Sequence, residues 1–292
     1  MITVVIPTLE RPEQLERCLR SLLACDPPPQ EVIVVDQSRD DRSREVVGRL
    51  GTERVRWVRL ERRSTAAARN HGASLASTDY LALLEDDIEV APSWTADVAA
   101  ALRQLDRPDA LFGAIDEAAR VDRRGLAVST HDVPVPTVWG RGTHPARPGY
   151  GGHMIIRREV LLETGGFDPR LGPGSPFLGA EDIDLNYRLL RAGKTVASTP
   201  GVRMLHHQWR EPARLPHLMY GYNLGHSAFC AKHLIRGDLR PLAFVAVQAG
   251  GDAKMLASAI RRRSWLRARV AAWRAAGTWR GLVAGLRRFR AP

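Results

Sequence analysis

The chain has 292 residues, of which 44% are hydrophobic and 26% are charged. This composition is close to the globular average and excludes a chain that is mainly disordered, collagen-like or of low complexity. At about 150 residues per domain, the length predicts one large domain or two small ones. No apolar run approaches the ~20 residues that cross a bilayer, and no basic region precedes the first apolar run, so neither a membrane span nor a signal peptide is expected.

The formal net charge of +11 is concentrated at one end of the chain. Residues 232–292 hold 14 Lys and Arg against 2 Asp and Glu, whereas the residues before them are nearly neutral. The basic character therefore belongs to the C-terminal segment. The three cysteines form an odd, sparse set, which is typical of a protein in the reducing cytoplasm.

Short apolar runs alternate with helical patterns along the first 84 residues. The runs predict strands of a parallel sheet that are buried on both faces, at residues 3–6, 31–36, 55–60 and 80–84. Helices are predicted over residues 12–24, within 37–49 and over 64–77, the last with Ser64 as its N-cap. This alternation indicates βαβ units and an α/β fold, in which ligands bind beyond the carboxyl ends of the strands.

The middle of the chain is less regular. Residues 118–152 are rich in proline and glycine and predict a long loop that crosses the site. A strand over 153–157, a turn at 165–168, a helix over 181–191 and short strands at 196 and 202–205 are predicted after it. From about residue 212 the pattern is helical and rich in arginine.

Two acidic groups stand at the ends of predicted elements. Glu85, Asp86 and Asp87 follow the strand at 80–84, and adjacent carboxylates bury poorly without a cation. They predict either a site for Mg²⁺ or Mn²⁺ or a solvated acidic turn. Glu181 and Asp182 open a helix, where they can act as a general base or simply cap the helix.

Two further segments carry candidate side chains. Of His206 and His207, only one can face a site, because neighbouring residues of a strand point to opposite faces. Arg69 can pair with a phosphate or be a surface arginine. The sequence contains no P-loop, no GxGxxG after the first strand, and no GxSxG elbow, which disfavours the corresponding nucleotide-binding and hydrolase folds.

Taken in order, these segments resemble the inverting GT-A glycosyltransferases of family 2, over residues 1 to about 210. The matching stretches are Val5–Thr8 with Arg11–Pro12, Val34–Ser38, Ala68–Gly72, Leu84–Asp87, Gly165–Asp168, Gly179–Asp182 and His206–His207. Leu9–Glu10, Gln37 and Glu85 depart from residues that are frequent in the family.

The resemblance implies a GT-A fold, a Rossmann-like and mostly parallel central sheet flanked by helices, followed by a basic α-helical C-terminal extension. It implies a catalytic domain over residues 1–211, with a nucleotide-sugar-binding half (1–117) and an acceptor-binding half (118–211), and a basic helical region over 212–292. The implied reaction is metal-dependent, inverting transfer of a sugar from a nucleoside-diphosphate sugar to the hydroxyl of a glycan or a lipid-linked cell-envelope intermediate.

Site roles follow from the same resemblance. Asp182 is implied as the catalytic base, with Glu181 orienting donor or acceptor. Asp87 and His206 are implied as ligands of Mn²⁺ or Mg²⁺, with His207 open as the alternative to His206. The residues implied to bind the nucleotide sugar are Pro7, Thr8, Glu10, Arg11, Asp36, Ser38, Arg69, Asn70, Glu85 and Asp86. The residues implied on the acceptor side are Gly165, Gly166, Phe167 and Asp168.

The basic C-terminal segment has several interpretations. Met255, Ala259, Leu266, Val270 and Trp273 follow helical spacing, and tryptophans among many arginines are typical of a helix in an anionic membrane interface. Residues 253–292 are therefore expected to bind the inner face of the plasma membrane. Packing on the catalytic domain or on a partner subunit stays open, whereas nucleic acid is disfavoured because no recognised module accompanies the charge.

Two other functions remain as alternatives to a glycosyltransferase. A sugar-1-phosphate nucleotidyltransferase also has a nucleotide-binding α/β sheet, but its glycine-rich first loop has no counterpart between Pro7 and Pro12. A non-catalytic basic scaffold that binds membrane or nucleic acid would tolerate the loss of Asp87 and Asp182.

Overall fold

The computed structural model describes residues 2–117, 130–207 and 214–290. Its strands are β1 (Ile2–Thr8), β2 (Glu31–Asp36), β3 (Val55–Arg59), β4 (Tyr80–Leu84), β5 (Ile88–Val90), β6 (Ala110–Glu117), β7 (Thr137–Trp139), β8 (His153–Arg157) and β9 (Val196–His206). Its helices are α1 (Pro12–Leu23), α2 (Arg42–Leu50), α3 (Thr65–Leu75), α4 (Trp94–Gln104), α5 (Arg158–Glu163), α6 (Glu181–Arg191), α7 (Leu215–Leu234), α8 (Pro241–Arg261) and α9 (Trp265–Arg288).

The nine strands of the described residues form one sheet in the order β3-β2-β1-β4-β8-β6-β9-β5, with β7 paired to β9. The first four strands along this order are parallel, and β8 and β5 run antiparallel to their neighbours. The α/β fold class predicted from the sequence is confirmed. After β4 the sheet contains both parallel and antiparallel pairs. The four parallel strands before that point are the ones that the apolar runs of the first 84 residues predict.

A hydrophobic core covers each face of the sheet, because successive residues of a strand alternate between its faces. Val4 and Ile6 of β1 pack with Leu15 of α1 and Trp94 of α4 on one face. Val5 packs on the other face, where α3 and α6 provide the helical layer. The result is a three-layer α/β/α arrangement whose central strands are apolar on both sides.

The predicted elements of the first half agree closely with the structure. The strand at 31–36 and the helix at 181–191 have the predicted bounds, and the Ser64 hydroxyl caps α3 by accepting a hydrogen bond from the Ala67 amide. The two short strands predicted near 196 and 202–205 are parts of one strand, β9, whose pairing with β6 shifts register between Gly113 and Ala114. Much of the predicted long loop, residues 118–129, lies outside the described residues.

The chain divides into two compact units. One contains the sheet, with the residues through Asp168 and those from Leu185 to the end of β9, and the other contains Pro169–Asp184 and the helices α7–α9. The second unit therefore combines the C-terminal helices with the segment that carries Glu181 and Asp182. The domain boundary predicted between residues 211 and 212 falls outside the described residues and stays a prediction.

Three glycines on α9 allow it to pack closely against α7. They are spaced four residues apart and so lie on one face of the helix. A Cβ atom at Gly277 would stand 2.5 Å from the Tyr220 carbonyl oxygen, and one at Gly285 would stand 2.7 Å from the Ala231 Cβ; Gly281 meets the Leu224 carbonyl oxygen. Any larger residue at these positions would force the two helices apart.

The C-terminal residues that follow helical spacing lie on two helices and not on one. The chain turns after Arg261, where α8 ends, and α9 begins at Trp265 with Ser264 as its N-cap. Ala259 and Val270 are buried, whereas Leu266 is exposed, so the predicted apolar stripe falls on two helices with different surroundings. Among the described residues, the helices are all too short or too polar to cross a membrane.

Candidate functional site

The first candidate site lies where β1, β2 and β4 end at the same edge of the sheet. Thr8 and Asp36, the last residues of β1 and β2, are paired in register. Glu85, Asp86 and Asp87 follow directly after β4. His206 is the last residue of β9 and is paired with Ile88 of β5. Polar side chains from strands that are distant in sequence therefore meet at one edge, as expected for a parallel sheet.

Asp86 is held by two neighbours from the β1 end. The Thr8 hydroxyl donates to its Oδ2 at 2.7 Å, and Nη1 of Arg11 lies 3.0 Å from its Oδ1. Burial raises the pKa of Asp86 to about 6, an effect that Arg11 opposes and Asp87 reinforces. Arg11 also lies 3.3 Å from Asp87, so a single guanidinium serves two adjacent carboxylates.

Glu85, Asp87 and His206 form a second group beside it. Nε2 of His206 lies 3.2 Å from Oδ1 of Asp87 and 3.4 Å from Oε2 of Glu85. Burial lowers the pKa of His206, but the two carboxylates outweigh that effect and raise it to about 9. His207 belongs to different surroundings, because its Nε2 lies 2.6 Å from Glu89. Of the two histidines, the structure therefore places His206 in the acidic group.

The donor atoms of this second group suit a divalent cation. One carboxylate oxygen from Glu85, one from Asp87 and an imidazole nitrogen of His206 lie within 4.8 Å of one another. Asp87 and His206 are buried, and Nδ1 of His206 has no hydrogen-bond partner among the described residues. Two oxygens and one nitrogen fit Mn²⁺ better than Mg²⁺, which prefers oxygen alone.

The nucleotide-binding residues predicted on β2 and after β1 form a connected hydrogen-bonded wall. Asp36 is fully buried; its Oδ1 accepts from the Ser38 amide at 2.9 Å and its Oδ2 accepts from Nε1 of Trp57 at 3.1 Å. The Ser38 hydroxyl in turn accepts from the Glu10 amide at 2.7 Å. Pro7 lies within β1, in register with Val35. These contacts fix the loop after β1 to the end of β2.

Arg69 and Asn70, neighbours on α3, have different surroundings. Arg69 is buried, lies over the Phe167 ring at 5.4 Å and has Nη2 3.9 Å from Glu85. Asn70 uses both ends of its amide on Phe167: it donates to the carbonyl oxygen and accepts from the amide nitrogen, each at 2.8 Å. Arg69 therefore lies beside the acidic group, whereas Asn70 holds the predicted acceptor-side turn.

That turn depends on its two glycines. Gly165 and Gly166 both have positive φ angles, 80° and 66°, which residues with a Cβ rarely adopt. A Cβ at Gly166 would also stand 2.5 Å from Oδ1 of Asn70. Nη2 of Arg188 donates to the Gly166 carbonyl at 2.6 Å, and Asp168, which closes the turn, is buried. The motif is thus fixed from α3 and from α6.

Glu181 and Asp182, the predicted catalytic residues, open α6 and lie in the second compact unit. Glu181 is buried, and its carboxylate packs where Gly172 leaves room, since a Cβ there would stand 2.7 Å from its Oε2. Asp182 is partly exposed, and its Oδ1 accepts from the Ile183 amide at 2.8 Å. Both the capping and the catalytic roles considered from the sequence are compatible with this position.

Two residues of the first site were missed at the level of sequence. Trp57 and Arg59 of β3 face Asp36; Arg59 is paired with it in register and lies 3.9 Å from its Oδ2. The sequence could have indicated them, because β3 pairs with β2 in the sheet. Trp57 and Arg59 stand on either side of Val58 in the chain and therefore share one face of the strand. Glu85, which was predicted to bind the nucleotide sugar, has a carboxylate oxygen near Asp87 and His206, and its role stays a prediction.

Comparison with known proteins agrees with this geometry. Residues 3–165 match the family described as Glycosyl transferase family 2. The succinoglycan biosynthesis protein ExoA of Rhizobium meliloti is 26% identical over 264 residues, 84% of this chain and 74% of ExoA. The glucosyl-dolichyl phosphate glucuronosyltransferase of Haloferax volcanii is 27% identical over 221 residues, 70% of this chain and 68% of that protein.

Solved structures establish the same fold. The crystal structure of S. aureus TarS 1–349 in complex with UDP superposes with a TM-score of 0.57 at 16% identity and covers 99% of this chain and 91% of that one. The structure of GalNAc-T7 with UDP, GalNAc and Mn²⁺ superposes with a TM-score of 0.56 at 20% identity and covers 80% of this chain and 50% of that one. The GT-A fold predicted from the sequence is confirmed.

Proposed function

The chain belongs to glycosyl transferase family 2, and we propose that it transfers a sugar from a nucleoside-diphosphate sugar to an acceptor hydroxyl with the help of a divalent cation and with inversion. The observation that carries this proposal is the group of Glu85, Asp87 and His206 beside Asp86 and Arg11. It combines ligands for a cation with a guanidinium that can pair with phosphate. Membership of the family favours this function over a nucleotidyltransferase or a non-catalytic scaffold.

Within this proposal, Asp87 and His206 hold the cation, and Glu85 is added to the predicted ligands because of its place in the group. A cation at this position supplies charge neutralisation for the departing diphosphate. Arg11 and Arg69 add positive charge nearby. Asp36, Ser38 and Glu10, which are joined by hydrogen bonds, contact the nucleoside. UDP bound to TarS and to GalNAc-T7 supports a nucleoside diphosphate as the ligand.

Asp182 acts as the general base in this scheme. It accepts the proton of the acceptor hydroxyl as that oxygen attacks the anomeric carbon, while the bond to the nucleoside diphosphate breaks. A single displacement of this kind inverts the anomeric centre. Glu181 orients the donor or the acceptor, and the turn from Gly165 to Asp168 borders the acceptor.

The acceptor is proposed to be a glycan or a lipid-linked intermediate of a cell-envelope polysaccharide. The names of two relatives support this class: one is a succinoglycan biosynthesis protein and the other a glucosyl-dolichyl phosphate glucuronosyltransferase. An acceptor of this kind is made at a membrane, so the enzyme is expected at the inner face of the plasma membrane.

A thermal-shift panel tests the donor site. The full chain and Asp87→Ala are heated with UDP, GDP, dTDP or CDP, each with and without Mn²⁺. A ligand that binds only the folded state raises its stability by mass action. We expect one nucleotide to give a shift that requires Mn²⁺ and is lost in Asp87→Ala. No shift with any of the four, in a well-folded sample, would contradict the proposal.

Membrane contact is proposed for the turn between α8 and α9. Ile260 is 71% exposed and Trp265 80% exposed, and Arg261, Arg262 and Arg263 lie between them. No acidic residue follows Asp252 in the sequence. Exposed apolar side chains among arginines fit an anionic lipid surface. Trp273, by contrast, packs edge-on against Tyr220 at 5.7 Å and belongs to the packing of α7 and α9.

Flotation with vesicles tests this surface and locates it. The full chain should float with vesicles of phosphatidylcholine and phosphatidylglycerol at low salt, and not with phosphatidylcholine alone. Trp265→Ser should reduce binding more than Trp279→Ser, since Trp279 is similarly exposed but lies roughly 21 Å further along α9. Equal losses would place the contact along the whole helix, and no binding of the full chain would overturn it.

A further inference from the structure

Helix α7 approaches the segment that leads into α6 at one close contact. A Cβ atom at Gly225 of α7 would clash with the backbone of Gly179, whose carbonyl oxygen and carbon are its nearest neighbours. Glycine at 225 is therefore what allows the backbone of Gly179 to lie directly on α7. The residue after this contact, Ala180, has a φ of 71°. This conformation is unfavourable for a residue with a Cβ and persists only where the surroundings hold it.

A second contact lies about two turns further along α7. Asp184 of α6 is fully buried, and each of its carboxylate oxygens faces a cationic or polar side chain of α7. Nζ of Lys232 lies 2.8 Å from Oδ2, and Nε2 of His233 lies 2.9 Å from Oδ1. Lys232 and His233 are themselves buried. Lysine and aspartate are almost never fully buried unless they are paired, so this group is a specific junction of α6 with α7.

The two contacts enclose the proposed catalytic base. Gly179 and Asp184 are both fixed to α7, and Asp182 lies between them in the chain. Residues two positions apart on a helix lie on nearly opposite sides, because each residue turns by about 100°. With Asp184 turned toward α7, Asp182 is directed away from α7, in agreement with its partial exposure.

We propose that α7 is a positioning element for the general base. Lys232 and His233, acting through Asp184, and Gly225, acting through Gly179, fix the direction in which the first turn of α6 presents Asp182. This inference rests on the proposed function, in which Asp182 is the base. It assigns to the C-terminal helices a role in catalysis that is separate from membrane contact.

The first test compares Lys232→Met with Lys194→Met in the full chain. Lys194 forms a partly exposed pair with Glu163 at 3.1 Å, so the same substitution there removes an ion pair without touching α7. Hydrogen–deuterium exchange of the peptide that covers residues 179–185 is the readout that needs no substrate. We expect at least tenfold faster exchange in Lys232→Met and less than twofold change in Lys194→Met.

The second readout is turnover, followed as release of nucleoside diphosphate. UDP-, GDP-, dTDP- and CDP-glucose are all tested, so that no nucleobase is assumed for the donor. Lys232→Met should lower kcat at least tenfold and change KM for the donor less than twofold. Added to Asp182→Asn, it should lower kcat by less than a further twofold, because it acts through a base that is already absent. If Lys232→Met lowered kcat only by disturbing the structure in general, its fold-reduction in kcat would multiply with that of Asp182→Asn.

A second pair of variants avoids the buried charge altogether, in case Lys232→Met folds poorly. Gly225→Ala pushes Gly179 away from α7, whereas Gly250→Ala on α8 meets no atom within 4 Å. Gly225→Ala should repeat the faster exchange and the lower kcat, and Gly250→Ala should leave both unchanged.

The outcomes separate this inference from the proposed function. Unchanged exchange of residues 179–185 in both Lys232→Met and Gly225→Ala overturns the positioning role, and so does faster exchange with kcat within twofold of the wild type. If Asp182→Asn keeps its full rate, the proposed base is wrong. In that event the exchange experiment alone decides whether α7 orders the segment.

Discussion

Two clusters among the described residues pair a buried histidine with a buried aspartate, and their charges are arranged in opposite ways. In the first, the carboxylates of Glu85 and Asp87 converge on one imidazole nitrogen of His206. In the second, Lys232 and His233 converge on the single carboxylate of Asp184. The first brings two carboxylates to one imidazole nitrogen, whereas the second brings two nitrogen-bearing side chains to one carboxylate.

This difference separates a group that can bind a ligand from one that holds the fold together. In the first cluster the carboxylate oxygens of Glu85 and Asp87 lie close enough together to share a divalent cation, so on the proposed function this cluster gains stability from an added ion. The second cluster is already balanced and has nothing to gain from one. On the two proposals made above, similar residue types bind a cation in one place and position a helix in the other, and the ratio of carboxylates to basic groups distinguishes the two.

The largest expected effect concerns the balanced cluster. Lys232→Met leaves the buried carboxylate of Asp184 without its ammonium partner, which typically costs ~3–5 kcal/mol in the free energy of unfolding. Lys194→Met removes a partly exposed pair and should cost less than ~1 kcal/mol. Urea unfolding measures both. The double variant Asp184→Asn with Lys232→Met should recover most of the lost free energy of unfolding. If Lys232→Met alone cost no more than Lys194→Met, the pairing of Asp184 with Lys232 would not stabilise the fold.

A third buried histidine, His153, provides the baseline for a histidine that has no carboxylate beside it among the residues that the structure describes. Its Nε2 accepts from Nε1 of Trp94 at 3.2 Å, and its Nδ1 lies 3.1 Å from the Ala114 carbonyl oxygen. Burial lowers the pKa of His153 from 6.5 to about 4, in contrast to His206, whose pKa is raised to about 9. The direction of the shift is set by whether carboxylates are near.

The lowered pKa of His153 makes stability depend on acid. Above pH 6.5 the residue is neutral in both states; as the pH falls from 6.5 to about 4, only the unfolded chain takes up the proton, so stability is lost. The loss is about 3 kcal/mol. Asp86, with its raised pKa, acts in the opposite sense. The free energy of unfolding of the wild type and of His153→Gln should therefore be measured with urea over this pH range. The same dependence on pH in both proteins would contradict a lowered pKa of His153.

The sequence reveals the first site better than the second because of how each is built. Strands β1, β2 and β4 are continuous apolar runs, and the residues that follow such runs must meet at one edge of a parallel sheet. Thr8, Asp36 and Asp86–Asp87 could therefore be brought together from spacing alone. The choice between His206 and His207 could not, because it depends on the register of β9 against β5.

The second cluster is not foreseeable from the sequence, because its partners lie 48 and 49 positions apart, on helices whose relative packing no local pattern specifies. In the sequence, Asp184 is one of three acidic residues in the first turn of a helix, where acidic residues are favourable in any case. Lys232 and His233 read as basic residues at the end of α7, which are equally ordinary. Only the buried contact shows that these two patterns are joined.

The smallest effect, and the one that best defines the first cluster, belongs to Glu85. Its side chain is 42% exposed and lies 3.4 Å from His206 and 3.9 Å from Arg69, so Glu85→Gln should change the free energy of unfolding of the metal-free protein by less than ~1 kcal/mol. If its carboxylate is a ligand, the same change should weaken binding of Mn²⁺ at least tenfold, about 1.4 kcal/mol.

Binding of Mn²⁺ alone, followed by loss of the free-ion signal in electron paramagnetic resonance, measures this effect. Glu163→Gln is the matched control, because Glu163 is exposed and pairs with Lys194 instead of with a histidine. Affinity for Mn²⁺ within twofold of the wild type in Glu85→Gln would reduce the ligand set to Asp87 and His206. The first cluster would then hold one metal-binding carboxylate, that of Asp87.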